Sequence, residues 1–461
     1  MPDVHDIDVI VGGGGVAGAA AAAAIQQLGY QVMVVEPGQH DERRLAGEIF
    51  HPPGVSGLAD LALLSPLSAQ PAVNVGGFSV TSEGGYIRLP YDSVPSHRAL
   101  GLSLEHSLIR QRLMRAVSLL PNVTVKNGAR VVGIDQSDPS HVVVGVANGS
   151  DSGSYRCRML VVADGSPSRL ARMAGITVHN RLISTVCGYR ISIENLPQRE
   201  FGHVFLGTPT PILLYPISHD TARILFDIPY KATNRSIVTD CLALAQNLPR
   251  ALREEVTRTI EAQQRMSVVT RATTTERAAR GRVVLVGDAG GSCHPLTATG
   301  MTMCVSDALL LRRALSERHG DLPAALQLYE RRRRWPQATR LVLADALREA
   351  FCGTSPEARV VQGGILALWR DSAEARSATV ALLSTADGRP FALTQQILAA
   401  TKRGFLNHLR NPKPENREIG VCSAARLLIA MLFRNVRQVL KGRADVARDS
   451  SGSLWSTAKR G

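Results

Sequence analysis

Asp8-Val9-Ile10-Val11-Gly12-Gly13-Gly14-Gly15-Val16-Ala17-Gly18 is a short apolar run that ends in glycines and passes straight into an Ala-rich stretch reaching about Leu28. The pattern predicts a buried strand, a tight turn and a helix. Gly13, Gly15 and Gly18 form a G-x-G-x-x-G, whose missing side chains let backbone N–H groups and the helix dipole approach a pyrophosphate. The next strand is expected from Gln31 to Glu36. A carboxylate at its end can accept hydrogen bonds from the adenosine ribose hydroxyls and would repel the extra phosphate of NADP. A dinucleotide is indicated, with NAD and FAD both open at this point.

Two later stretches repeat the theme of an apolar strand running into a Gly- and Asp-containing turn. Met159 to Val162 leads into Ala163-Asp164-Gly165-Ser166-Pro167-Ser168, and Val283 to Val286 leads into Gly287-Asp288-Ala289-Gly290-Gly291. Beyond the second lie His294-Pro295-Leu296-Thr297 and Gly300-Met301-Thr302. A helix beginning at Gly300 would aim its first N–H groups, and the positive end of its dipole, at negative charge. Between the two turns, Thr185 to Ile193, Gly202 to Leu206, Ile212 to Ile217 and Arg223 to Ile228 are short apolar or alternating runs, as in an antiparallel sheet. Thr239 to Gln264 is expected to be helical and mostly solvated, and Arg331-Arg332-Arg333-Arg334 to be a solvated helix face.

With 461 residues, 44% of them hydrophobic, the chain can build two or three domains around a sizeable core. No apolar run approaches the roughly 20 residues that cross a bilayer, and no signal peptide is expected. The seven cysteines lack metal-type spacing, so neither a metal site nor a disulfide framework is expected and the expected compartment is the cytoplasm. The net charge of +14 suggests an acidic partner, and residues 398–461 hold thirteen Lys or Arg against four Asp or Glu. Aromatic residues make up only 4% and no nucleic-acid motif is visible, so nucleic acid is not the expected partner. Ala424 to Arg434 is a short apolar helix between basic flanks, which suits peripheral contact with anionic lipid or, equally, a core helix.

Arg44 through Leu63, containing Gly47-Glu48-Ile49-Phe50-His51-Pro52-Pro53-Gly54, resembles the G-E-x-x-x-P-x-G stretch that follows the dinucleotide fold in squalene monooxygenases, a branch of the flavoprotein monooxygenases. Asp164, Gly165 and Ser168 resemble that group's D-G-x-x-S-x-x-R, though the arginine position falls at Ala171, with Arg169 and Arg172 on either side. Gly287-Asp288 resembles the third fingerprint, whose Asp contacts the ribitol of FAD. The resemblance spans roughly residues 7–350. It implies a mixed α/β (α+β) fold: a Rossmann-like FAD-binding domain, an antiparallel-sheet substrate domain and a helical C-terminal region. The expected division is 1–72, 101–182 and 276–350 for the FAD-binding domain, 73–100 and 183–275 for the substrate domain, 351–441 for a helical and membrane-associated region, and 442–461 for a disordered tail.

The same resemblance implies the site. Gly13, Gly15, Gly18, Glu36, Arg44, Glu48, Asp164, Gly165, Asp288, Pro295, Gly300 and Met301 would surround FAD. Leu67-Ser68-Ala69-Gln70 and Leu89-Pro90-Tyr91 match segments in which a Gln and a Tyr form a hydrogen-bonded pair near the flavin's reactive edge. Gln70, Tyr91, Pro295 and Gly300 are therefore the implied catalytic group, and Tyr91, Leu214, Tyr215 and Leu296 the implied substrate pocket. The arginine that the family carries at the start of one helix reads Glu105-His106-Ser107 here, with Arg98 and Arg110 as alternatives. The implied chemistry is uptake of O2 by reduced flavin as a hydroperoxide, whose distal oxygen attacks an electron-rich double bond. That step needs no amino-acid base, which makes His294 structural. Electrons would come from NAD(P)H, bound transiently or through a separate reductase. The implied substrate is an apolar isoprenoid such as squalene; the alternatives are an aromatic or prenylated secondary metabolite, or a flavin-binding membrane-associated protein without turnover.

Overall fold

The structure is a computed structural model that describes residues 4–38, 45–82, 85–207, 209–230, 236–262, 265–353 and 355–410. Arg44, the Ala424–Arg434 stretch and the expected tail at 442–461 lie outside the described residues.

The apolar runs that flank the glycine turns form one parallel sheet. Its strands lie in the order Val123–Asn127, Val32–Glu36, Val4–Gly12, Asp151–Val162, Val283–Leu285, with antiparallel Ala279–Arg280 at the edge. Strand Val32–Glu36 is buried along its whole length, as expected of a parallel strand covered on both faces. Helix Val16–Gln26 covers the sheet with residues 16–25 all buried. Its run of alanines has no polar face because helix Gly300–Glu317 packs against it. The register sets the carboxyl ends level: Gly12 pairs with Val35 and Val162, and Val162 pairs with Leu285. All three fingerprint turns therefore leave the sheet at one edge, where ligands bind in open α/β sheets.

The second sheet has the order Met266–Thr275, Val178–Ser192, Thr221–Pro229, Ile212–Pro216, Gly202–Phe205, Gly77–Ser82, Gly85–Pro90. It is antiparallel except where Gly202–Phe205 runs parallel to Gly77–Ser82, so the expectation of an antiparallel sheet needs correcting at one junction. The reason is topological: the early strands near residue 80 enter beside a strand from the later block. Helices Ile237–Ala245 and Arg250–Ala262 cover the back of this sheet. The expected mostly solvated helix is thus two helices, with a stripe of Leu252, Val256 and Ile260 buried against Ile212, Leu214, Ile224 and Phe226. The other face meets Leu343, Leu347 and Phe351 of helix Leu322–Cys352, together with Trp369, Val380 and Leu393 from helices Pro356–Asp371, Ala373–Leu383 and Pro390–Arg410. No described helix is long and apolar enough to cross a membrane.

Candidate active site

At the level edge of the first sheet, Gly13 has φ of 113°, and a Cβ there would stand 2.5 Å from the Ala163 carbonyl oxygen. A Cβ on Gly18 would sit 1.8 Å from the Gly13 oxygen, so only glycine lets the helix leave the strand this closely. By contrast a Cβ on Gly15 or Gly300 would meet nothing within 4 Å. Both glycines stand at helix starts without a side-chain cap hydrogen bond, so each helix begins beside open space with no side chain of its N-cap residue taken up by the first turn. Glu36 is buried at the end of its strand and accepts the Gly14 N–H, with Arg110 Nη2 3.5 Å from its other oxygen. Asp164 accepts from Ser168 Oγ and from the N–H groups of Arg169 and Leu170, so its carboxylate caps helix Arg169–Met173 while burial pushes its pKa up.

The third turn is held from behind by helix Leu322–Cys352. Arg333 donates to Asp307 Oδ2 (2.9 Å), Gly290 O (3.0 Å) and Gly287 O (3.1 Å); Asp307 in turn accepts the Gly287 N–H (2.8 Å). Arg340 donates to Gly291 O and Tyr329 to Leu285 O. Burial disfavours the Arg333 charge, but Asp307 beside it holds the guanidinium protonated. The Arg331–Arg334 run is thus not uniformly a solvated face. Arg333 continues the buried stripe Leu326, Tyr329, Gln337, Arg340 and Ala344 at three- and four-residue steps, a phase readable in the sequence that the four consecutive arginines concealed.

After the third turn, His294 accepts the Leu296 N–H on Nδ1, leaving Nε2–H to donate to Asp227 Oδ2 at 2.9 Å. This buried pair pins the loop to the second sheet. Ala298 adopts a left-handed conformation (φ 51°) that turns the chain into helix Gly300–Glu317. Thr297 O lies 3.0 Å from His51 Nε2, and a carbonyl can only accept, so that nitrogen carries the proton. Burial lowers the His51 pKa to about 4 and the ring is neutral; Nδ1 is then the acceptor of the Tyr91 hydroxyl at 2.7 Å. Phe78 packs against both rings.

The expected Gln70–Tyr91 pair is corrected by this chain. Tyr91 is buried and its hydroxyl belongs to His51, whereas Gln70 is exposed and its carbonyl is clamped by Arg112. The sequence signal lay inside the quoted Gly47–Gly54 stretch, where His51 stands next to the Pro52 that opens helix Pro52–Asp60.

Glu48 is engaged elsewhere as well. Its carboxylate takes two bonds from Arg223 (3.0 and 2.8 Å) and one from the Tyr215 hydroxyl (3.0 Å), in a fully buried knot that joins the 45–50 segment to the second sheet. Arg223 Nη1 has no hydrogen-bond partner among the described residues. Strand alternation sorts the expected pocket residues by face. Leu214 faces the back cluster with Phe226 and Val256, while Leu213 and Tyr215 face forward, Leu213 joining the cluster against which Leu296 packs. Gly47 touches Met301: a Cβ on Gly47 would lie 3.2 Å from Met301 Cγ. Asp288 is half-buried in the turn, and Pro295 opens the short helical turn Pro295–Thr297.

The model of the squalene epoxidase family matches residues 156–414, more than half of the chain. The chain belongs to the squalene epoxidase family. The match runs beyond the stretch where the sequence resemblance fades and takes in the helices at 356–410. Squalene epoxidase 3 of Arabidopsis thaliana is 28% identical over 446 residues, covering 90% of this chain and 81% of that protein. The squalene epoxidase of Schizosaccharomyces pombe is 26% identical over 68% of this chain and 69% of its own length. Among solved structures, p-nitrophenol 4-monooxygenase from Pseudomonas putida aligns with a TM-score of 0.69 at 18% identity, over 83% of this chain and 99% of that one. HpxO from Klebsiella pneumoniae, solved with FAD and uric acid, aligns with a TM-score of 0.69 at 20% identity, over 82% and 97%. At these identities the two structures support the fold of this squalene epoxidase family member.

Proposed function

We propose that this squalene epoxidase family member is an FAD-dependent monooxygenase that epoxidises squalene or a similar apolar isoprenoid. The observation that carries the reading is the level edge at which three fingerprint turns meet, with open space at Gly15 and Gly300 and a ribose-type acceptor at Glu36. These residues fit FAD. Gly15 and the start of helix Val16–Gln26 would hold the pyrophosphate, Glu36 the ribose, Asp288 the ribitol, and Gly300 with Met301 the pyrimidine end of the ring. Bound FAD, once reduced, supplies the activation of O2 and one oxygen atom for the alkene.

The chain's own residues orient and enclose. Tyr91, Leu213 and Leu296 belong to the apolar cluster between the second sheet and the C-terminal helices, where a hydrocarbon replaces water. His51, neutral and donating to Thr297 O, fixes the loop that carries Pro295 and Leu296. His294 is held by Asp227 and is assigned no proton transfer to substrate. Electrons come from NAD(P)H, either bound transiently or through a separate reductase. Contact with an anionic membrane through the basic C-terminal region would bring an insoluble substrate to the site.

One observation favours a second reading. The Arg223 side chain, whose Nη1 has no hydrogen-bond partner among the described residues, meets Leu45 and Leu225 around Gly188, and that nitrogen could donate to an oxygen of a prenylated aromatic substrate. The test is to release and identify the flavin from purified protein, then follow NADPH oxidation with and without a reductase, offering squalene and a prenylated phenol in parallel. FAD with squalene-dependent oxidation supports the first reading. Turnover of the phenol alone supports the second, and no bound FAD defeats both.

A further inference from the structure

His106, Arg110 and Met114 stand one turn apart on helix His106–Ser118, so they share a face. Each meets a different part of the cradle. His106 Nδ1 donates to the Gly47 carbonyl at 2.7 Å, beside the Gly47–Met301 contact. Arg110 Nη2 lies 3.5 Å from Glu36 Oε1. A Cβ on Gly14 would stand 2.9 Å from Met114 Sδ. This helix face therefore runs along the groove from the first fingerprint toward the start of the helix at Gly300. The family's arginine at the start of this helix is replaced by Glu105-His106-Ser107, and Glu105 is turned to Arg190 of the second sheet. Among the described residues, the other arginines that the sequence leaves open, Arg98, Arg169 and Arg172, are exposed. Arg110 is mostly buried, and its partner Glu36 also accepts the N–H of Gly14, within the glycine turn itself.

We infer that Arg110, oriented by Glu36, is a cation that meets the FAD pyrophosphate in this chain, with His106 fixing the adjoining Gly47 carbonyl. Together they replace the arginine that the family places one turn earlier. The inference rests on FAD being the ligand. The physical case is charge: a carboxylate and a pyrophosphate are brought to one glycine turn, and the helix dipole alone offers only partial compensation. A guanidinium can bridge them, with separate N–H donors directed to the carboxylate and the phosphate oxygens.

The experiment uses the full chain stripped of flavin and titrated with FAD by fluorescence, with ADP and adenosine as competitors. Arg110→Met should weaken FAD and ADP about tenfold or more and leave adenosine nearly unchanged, because only the first two carry the pyrophosphate. Arg110→Lys should recover part of the loss, and Arg98→Met should bind as wild type. Should Arg110→Met fail to fold by its melting curve, Arg110→Gln gives the same comparison with a polar side chain of similar reach. Unchanged ADP affinity in these variants, or an equal loss for ADP and adenosine, overturns the inference. A wild-type chain that takes up no FAD overturns the underlying reading instead.

Discussion

Burial holds His51 neutral, and this has a measurable price in stability. Its pKa falls from 6.5 to about 4 in the folded chain, so between those values the unfolded state binds more protons. Stability contributed by the neutral ring is complete above about pH 6.5 and is lost as pH falls toward 4, amounting to on the order of 3 kcal/mol. Denaturant midpoints from pH 7 to 4 should show this slope, and His51→Gln should flatten it. Tyr91→Phe leaves His51 Nδ1 buried without its donor, and should cost about 1–3 kcal/mol by the same measurement. The Glu48–Arg223 pair makes a sharper case. Both side chains are fully buried, so Glu48→Gln leaves the charged guanidinium with only the more distant Glu105 carboxylate at 3.9 Å and should lose about 3–5 kcal/mol in urea unfolding. A loss under about 1 kcal/mol would show that the ion pair is not the clamp between the 45–50 segment and the sheet.

At the scale of elements, strand Ile212–Pro216 separates structure from site. Leu214→Ala opens a cavity behind the sheet and should cost about 2–5 kcal/mol of stability with little effect on the KM for squalene. Leu213→Ala, on the forward face, should raise KM or change product distribution at a smaller cost in stability; the reverse pattern would put the pocket on the wrong side of the sheet. Sequence patterning could find the strand but not its facing, because Ile212, Leu213 and Leu214 are all apolar and period-two alternation is silent in such a run. The helix at Leu322–Cys352 hid its role for the opposite reason. Its buried stripe includes Arg333 and Arg340, and charged residues on a helix ordinarily mark the solvent side. Their partners are the Asp307 carboxylate and backbone carbonyls of the third turn, which no local pattern announces.

For the whole molecule, the glycine turns were legible because they answer a local requirement. Gly13 and Gly18 must be glycine for the strand and helix to meet, and Glu36 must end its strand. What sequence could not provide was the long-range pairing. Tyr91 and His51 are forty residues apart, Asp227 and His294 sixty-seven, and Glu48 and Arg223 one hundred and seventy-five. Each of these contacts joins the dinucleotide-binding part to the second sheet or to its early strands, so they exist only once both have folded. The division of labour follows: the first sheet and its turns present a dinucleotide-shaped edge, the buried pairs lock the second sheet over it, and the C-terminal helices close an apolar cluster beside Leu296. The most direct test of this account is to incubate the purified protein with squalene, NADPH, a reductase and isotopically labelled O2, and to weigh the product. The account predicts squalene that has gained one labelled oxygen atom, with the gain dependent on bound FAD. Protein that holds FAD and consumes O2 while squalene remains unlabelled would contradict it.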